Sequence, residues 1–453
     1  MFYNFHASLK SGALSPLSKK YIFSSTLLML SLWTYSPLSV AKNKTEEKTL
    51  TLSSAIKRVL KESPSLKVFK FRQAALEGQQ QSQSLKPAYE IGFEVDNFAG
   101  TGNMTLKDNA EFTLSLSSIF ELGDKRNARL KVITTRKSHL DAQREIQALN
   151  LFGEVTRRYI DVLSAQERLS LAFEAIQLAE ETLIEVEKRS KAGISPEAEI
   201  KRALAALGNA RLTASSEQQQ FNYSKVALAM MWNKTTPEFT RVEGNLFLFS
   251  ADIPFKKLYD KVKQNPEILM YTSEKRLREA QLRLTRTESN ANIKWSIGIK
   301  QFQDTNNTAL NAGFSMPLFA AKRNTGAIIS AKAARDEVIA KKETTLLKLH
   351  SQLYRAYANR KQAIFTTQSL RNSIIPTLTE ALSETQSAYQ KGRYSYLDYL
   401  TVRQELLFAR RAMIESATYA LNYGTEIEQL IAEPLPASQF GLTNKFQEQS
   451  YEY

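Results

Sequence analysis

An internal duplication constrains this sequence most. Each of two copies, offset by about two hundred residues, contains a polar-proline helical element (61–66 and 263–268), two alternating segments, a Lys-Arg-Asn triplet (125–127 and 322–324), and a long helical pattern that ends at an isolated glycine. The shared order predicts two structural repeats, 42–250 with a hairpin tip at Gly193 and 251–434 with a tip at Gly392. Residues 435–453 follow as a C-terminal tail.

The alternating segments predict four β-strands, at about 89–97, 111–118, 292–301 and 309–317. Each is about as long as a tilted strand that crosses a bilayer. One set of side chains is apolar and is predicted to face lipid: Ile91, Phe93, Val95, Phe112, Leu114, Leu116, Trp295, Ile297, Ile299 and Phe314. The intervening set is polar and is predicted to face a water-filled lumen: Glu90, Glu94, Asp96, Lys294 and Lys300.

Four strands are too few to close a barrel, because small barrels need about eight. A trimer would supply twelve. A soluble β-sandwich hairpin shows the same alternation, but two isolated hairpins make a poor core in water. The pattern therefore favours a barrel shared by several chains.

Long helices account for most of the remaining sequence. Residues 125–191 contain one glycine and no proline, which predicts a helix on the order of 100 Å long with coiled-coil packing. The second copy predicts its counterpart over 322–391, broken once at Pro376. Gly193 and Gly392 are predicted to end these helices at the tips of helical hairpins. The fold class is thus mainly α with a small β part.

Composition and motifs limit the classes of function that this chain can have. Residues 1–41 have the features of a signal peptide, with basic residues before an apolar run and Ser39-Val40-Ala41 as the cleavage pattern. No later run is apolar and long enough for a membrane helix. The net charge of +15 is spread along the chain, which argues against nucleic acid as a partner. The chain has no cysteine and no catalytic or phosphate-binding motif, so we expect neither an enzyme nor a cofactor or metal site.

Taken together, the duplication, the paired strands, the Lys-Arg-Asn triplets and the glycine tips resemble the TolC-like outer-membrane efflux family over about residues 50–434. The segment 120–126 (Phe-Glu-Leu-Gly-Asp-Lys-Arg) is most similar to the CzcC-like branch, which is attached to heavy-metal and cation exporters. The segment 316–319 (Met-Pro-Leu-Phe) resembles the strand end of that family.

This resemblance implies a homotrimer with a 12-stranded β-barrel in the lipid of the bacterial outer membrane and an α-helical barrel in the periplasm. It implies two partners, a periplasmic membrane-fusion adaptor and an inner-membrane efflux pump of the RND type. The adaptor would dock at the tips, which are Gly193, Ile194, Ser195, Gly392, Arg393 and Tyr394. The family's periplasmic gate corresponds to Glu199, Tyr389, Asp398 and, one position off, Arg393.

Several alternatives remain open from sequence. The expected function is the passive exit duct of a tripartite efflux system. The outer-membrane partner of a type I protein-secretion exporter would share the fold, and a soluble periplasmic coiled-coil adaptor or scaffold would share the helices. Thr401 replaces a second acidic gate residue of the family, and the basic net charge is unusual for a conduit of cations. The sequence does not identify the cargo.

Overall fold

The computed structural model describes residues 49–101 and 109–435. The predicted signal peptide (1–41) and the tail from residue 436 onward lie outside these described residues. The described chain is mostly helical with a small sheet part, as the sequence predicts. The extents of the two repeats stay predictions.

Ten α-helices account for most of the described chain. They are α1 (Leu52–Glu62), α2 (Pro64–Ser84), α3 (Lys125–Lys191), α4 (Glu197–Ala229), α5 (Phe255–Val262), α6 (Pro266–Glu288), α7 (Ala320–Arg323), α8 (Thr325–Ser369), α9 (Ile375–Gln390) and α10 (Tyr396–Ile431). Helices α2 and α6 each begin with the proline of the repeated element, which suits the first helical position because proline lacks the N–H that would be unsatisfied there.

The helix α3 is continuous over 67 residues, about 100 Å at 1.5 Å per residue. It begins beneath the sheet, where the Lys125 ammonium donates to the Asn290 carbonyl (2.7 Å) and to Asn292 Oδ1 (2.6 Å). At its other end Gly193 has φ +72°, and the amide of Ile194 donates to the Arg189 carbonyl (3.0 Å). This Schellman motif, which favours glycine in the left-handed position, ends the helix and starts the turn into α4.

The corresponding helix of the second half is interrupted. Its long segment begins at Thr325, after the short α7, and a π-helical turn at Leu370–Ile374 separates α8 from α9. The break expected at Pro376 is therefore a π turn just before that residue. Proline removes one N–H donor and its ring crowds the carbonyl four residues earlier, and the wider π turn relieves both constraints. Gly392, again at φ +72°, closes this hairpin as Gly193 closes the first.

Four strands form the sheet: β2 (Glu90–Asp96), β3 (Glu111–Glu121), β5 (Asn292–Phe302) and β6 (Thr308–Ser315). They are antiparallel and lie in the order β2-β3-β5-β6. The central ladder joins β3 of the first half to β5 of the second, with Leu116 opposite Ile297. Strands β2 and β6 are the two edges of this sheet.

The main hydrophobic core surrounds the middle of α3, where α1, α4 and α10 pack on it. A second, two-residue parallel pair, β1 (Thr49–Leu50) with β4 (Arg241–Val242), closes over this core. The buried Tyr159 hydroxyl donates to the Leu50 carbonyl (2.8 Å) and accepts from the Glu243 amide (3.1 Å). Tyr159 thereby ties both ends of the first half to the middle of its longest helix.

No helix within residues 49–101 and 109–435 is long and apolar enough to cross a membrane.

Candidate functional site

The two helical hairpin tips lie together. Val186 of α3 and Ala203 of α4 pack with three buried tyrosines, Tyr389, Tyr396 and Tyr399, in one small cluster. The Tyr389 and Tyr399 rings stack with centroids 5.9 Å apart and planes 6° apart. This tip cluster couples the first hairpin (α3 and α4) to the second (α9 and α10) through side chains rather than through backbone pairing.

Two of the four predicted gate residues are in direct contact. The Tyr389 hydroxyl donates to Glu199 Oε2 at 3.0 Å, across the boundary between the hairpins. Burial raises the pKa of Tyr389 above its ordinary value, and the carboxylate of Glu199 adds to this shift. The phenol therefore stays protonated and serves as a donor throughout the physiological pH range.

Asp398 has a different role in this chain. Its carboxylate accepts from the Ser395 amide (3.0 Å) and hydroxyl (2.7 Å), and its own amide donates to Ser395 Oγ (3.3 Å). This reciprocal capping box starts α10. Hydrogen bonds from Ser395 lower the pKa of Asp398, which is fully exposed. The carboxylate consequently remains charged at the surface beside the tip.

Arg393 is exposed, and its side chain has no hydrogen bond or ion pair within the described part of the chain. The arginine that joins the hairpins is instead Arg189, which is 8% exposed. Its guanidinium donates to the carbonyls of Tyr389 and Gln390 (2.8 Å for Gln390) and to Ser195 Oγ (3.2 Å), and it lies 4.4 Å from the centre of the Tyr389 ring.

Sequence reasoning missed Arg189. It stands among Lys188 and Lys191 in the last turn of α3, where basic residues are favoured by the helix dipole and are usually solvated. Only the structure shows that Arg189, four residues before the tip glycine, contacts the second hairpin. The predicted docking residues Ile194 and Tyr394 are exposed at 62% and 54%, so the tip surface itself is open.

The sheet separates the two predicted sets of strand residues by face. All ten side chains predicted to face lipid lie on one face of the sheet. Leu116 is directly opposite Ile91 in one neighbouring strand and opposite Ile297 in the other. The remaining predicted residues of these three strands are an even number of positions away, and Phe314 is opposite Trp295. Many of them are largely exposed, for example Ile91 at 80% and Phe314 at 85%. Leu310, which was not in the predicted set, is on the same face at 81%.

The five predicted lumen residues lie on the opposite face. Lys294 pairs with Glu90 (3.8 Å), and Lys300 pairs with Asp96 (3.3 Å) and also with Glu111. Glu111 was not in the predicted set, although it is directly opposite Asp96, and Lys300 bridges the two carboxylates. Glu94 carries no ion pair in the described chain. This face is thus hydrophilic and carries charges of both signs.

Among the residues that the structure describes, no group of three or more His, Cys, Asp or Glu side chains could hold a metal ion.

A sheet with one exposed apolar face and one charged face, carried on two helical hairpins with adjoining tips, defines a membrane-channel subunit with a long helical extension.

Comparisons with known proteins lead to the same class of protein. Residues 55–234 match the family described as outer membrane efflux protein. The chain is 24% identical over 332 residues to the cobalt-zinc-cadmium resistance protein CzcC of Cupriavidus metallidurans, covering 72% of this chain and 78% of that protein.

Solved structures share the fold. The chain superposes on CusC with a TM-score of 0.70 at 15% identity, covering 84% of this chain and 91% of CusC. The Campylobacter jejuni outer membrane channel CmeC gives a TM-score of 0.68 at 17% identity, covering 92% and 96%. The family match lies in the first half of the chain, and the likeness to CzcC extends over 72% of it. The protein is an outer-membrane efflux channel component with a periplasmic helical part, and it is a passive duct rather than an enzyme.

Proposed function

We propose that three copies of this chain form the exit duct of a tripartite efflux system. The observation that carries this proposal is the sheet, which has an exposed apolar face, a charged opposite face and two edge strands. In a membrane, unpaired strand edges are too costly to remain open. Pairing β6 of one copy with β2 of the next would satisfy both edges.

Three sheets joined in this way give a twelve-stranded barrel with the apolar side chains outward and Glu90, Asp96, Lys294 and Lys300 toward the lumen. Twelve strands leave room for water inside, since eight already enclose a packed interior or a small ligand. The ion pairs of Lys300 and Lys294 would line this aqueous passage near the two ends of the strands.

The tip cluster would form the closed periplasmic gate. Arg189, Tyr389 and Glu199 hold the two hairpins of one chain together, and Asp398 would place a ring of three carboxylates beside the axis. Such a ring attracts cations and repels anions. The Arg393 side chain, which has no hydrogen bond or ion pair within the described chain, is available for a neighbouring copy.

The exposed tips, with Ile194 and Tyr394, would dock on a periplasmic membrane-fusion adaptor that connects to an inner-membrane pump of the RND type. The name of the relative CzcC refers to cobalt, zinc and cadmium resistance. We extend this to the cargo here and propose divalent metal cations.

Two measurements test this proposal: the molecular mass of the detergent-extracted protein and its conductance in planar bilayers. The full chain, extracted with detergent, should have the mass of a trimer by light scattering and should insert into planar lipid bilayers as a cation-selective channel. Release from cells by salt or osmotic shock without detergent would contradict a membrane duct and favour a periplasmic scaffold. For the cargo, a deletion strain should become sensitive to zinc, cobalt or cadmium, whereas loss of a secreted protein with unchanged metal tolerance would favour a secretion partner.

A further inference from the structure

Two buried hydrogen-bond donors of α10, Tyr396 and Arg403, have no acceptor within the described part of the chain. The Tyr396 hydroxyl and the Arg403 Nε make no hydrogen bond, although the two residues are only 2% and 5% exposed. They are seven positions apart, which is about two helical turns, so they lie on the same face of α10. A buried donor without an acceptor is costly, and a charged one is more so. Both atoms therefore require a ligand that the described chain does not supply.

The hydrogen bonds around Arg403 cannot be rearranged to supply it. The Arg403 Nη1 donates to Thr182 Oγ1 at 2.9 Å, and the Tyr399 hydroxyl lies 3.2 Å from the same oxygen. The Thr182 hydroxyl itself donates to the Leu178 carbonyl at 2.6 Å. A hydroxyl has one hydrogen and two lone pairs, so Thr182 must accept from both Arg403 and Tyr399. Its capacity is then used up.

The positive charge of Arg403 is also uncompensated. Arg403 makes no ion pair within the described residues, and acidic side chains around it are engaged elsewhere. Glu199 accepts from a tyrosine of the tip cluster at 3.0 Å. Glu217 pairs with Arg168 at 3.1 Å and with Arg411 at 3.6 Å. Because a guanidinium removed from water without a counter-ion is strongly unfavourable, a negative charge from outside the chain belongs here.

The two unmatched donors act on one small region. Burial raises the pKa of Tyr396 above its ordinary value, and the nearby charge of Arg403 is the largest influence that opposes this rise. Side chains of a helix lean toward its N-terminus, which directs Arg403 back toward Tyr396. Arg403 also lines a groove of about 670 Å³ between α3, α4 and α10, which gives a small ion a path from solvent.

We propose that Arg403 and Tyr396 bind a chloride ion, which supplies the missing counter-charge. A halide accepts hydrogen bonds from any direction, so one ion can serve the guanidinium and the phenol together. A water molecule would accept the same hydrogen bonds but would leave the charge uncompensated. A large organic anion would not reach both donors, because both are nearly inaccessible. The ion would stabilise the packing of α10 on α3, since Thr182 of α3 holds the other side of the same guanidinium.

Chloride binding is measured directly on the full chain in detergent, from the line width of the chloride NMR signal. The signal should broaden on addition of the protein, bromide should reverse the broadening, and gluconate should not. Arg403→Gln should weaken binding by at least about tenfold, because it removes a charged donor, and Tyr396→Phe should weaken it by roughly a few-fold. Arg355→Gln, which removes an exposed ion pair with Glu426, should leave binding unchanged.

Thermal unfolding at constant ionic strength gives a second measurement, with chloride replacing gluconate. The midpoint of the unmodified chain should rise with the logarithm of the chloride concentration once the site fills, and this comparison needs no variant. The midpoint of Arg403→Met should not depend on chloride. In gluconate it should be no lower than that of the unmodified chain, because the substitution removes an uncompensated charge.

Three outcomes would overturn the chloride site: no response of the unmodified chain to chloride, a response that survives Arg403→Met, or a lower midpoint of Arg403→Met in gluconate. The first would leave water as the ligand, and the last would show that the guanidinium is compensated without an anion. Failure of the duct is a separate result, because neither measurement requires a bilayer or a conducting channel.

Discussion

Arg189 provides the sharpest test of how the hairpins are held together. Replacing it with alanine removes three hydrogen bonds from a charged donor and one cation–π contact in a nearly buried site. A hydrogen bond to a charged group contributes about 1.5–3 kcal/mol and a cation–π contact about 0.5–2 kcal/mol, and such terms are not additive. We therefore expect Arg189→Ala to destabilise the contact between the two hairpins by about 3 kcal/mol per chain.

That loss changes the equilibrium between joined and separated hairpins by roughly 150-fold, because 1.4 kcal/mol is a factor of ten. In planar bilayers, Arg189→Ala should therefore increase the open fraction of a mostly closed channel by about two orders of magnitude. Arg189→Lys keeps the charge but lacks the planar fork that reaches two carbonyls and the ring at once, so an intermediate effect is expected.

A matched control is Arg211→Ala. Arg211 pairs with Glu180 at 2.9 Å within the first hairpin, and both side chains are largely exposed. Such pairs contribute about 0–1 kcal/mol, and this one does not cross between hairpins. If Arg189→Ala and Arg211→Ala give the same open fraction as the unmodified channel, Arg189 does not hold the closed state and the reasoning is refuted.

Three further predictions follow from other parts of the structure. Ile297→Arg places a charge on the apolar face at a cost of about 2–4 kcal/mol near the bilayer midplane, so its yield in outer-membrane fractions should fall, whereas Ser296→Arg on the opposite face should leave the yield unchanged. Tyr159→Phe should cost about 1–3 kcal/mol and lower the thermal midpoint, because it leaves buried backbone groups without their partner; an unchanged midpoint would contradict this. The pKa of Asp398 is depressed in the folded chain, so its capping contribution is present above its ordinary pKa and is lost as pH falls through the lower folded value. Hydrogen exchange at the start of α10 should accelerate over that acidic window, after correction for intrinsic rates, and Asp398→Asn should abolish the step.

The features that could be predicted from the sequence are those that depend only on residues near one another in the chain. Alternation at two-residue steps assigns Ile91 and Glu90 to opposite faces of any strand, and the glycines at 193 and 392 end helices for a backbone reason that neighbours cannot override. The mainly helical fold with a small sheet and the resemblance to outer membrane efflux proteins were therefore predictable and are confirmed.

Features that depend on contacts between distant segments were not predictable. Arg189 looks like an ordinary solvated charge until helices from both halves meet beside it. The pairing of Lys300 with Glu111 requires the register of β3 against β5, which no local pattern sets. A long helix can accommodate a proline in several ways, and the sequence does not determine that a π turn precedes Pro376.

The β3–β5 ladder joins the second strand of one half to the first strand of the other. In the proposed assembly, β6 and β2 of adjacent chains would make the same kind of joint. Each chain would then already contain, between its own two halves, the same kind of strand pairing that it must form with its neighbours. A half-length ancestor would have needed six such encounters to close the ring, whereas this gene product needs three, so fusing the halves replaces half of a concentration-dependent assembly with intramolecular folding.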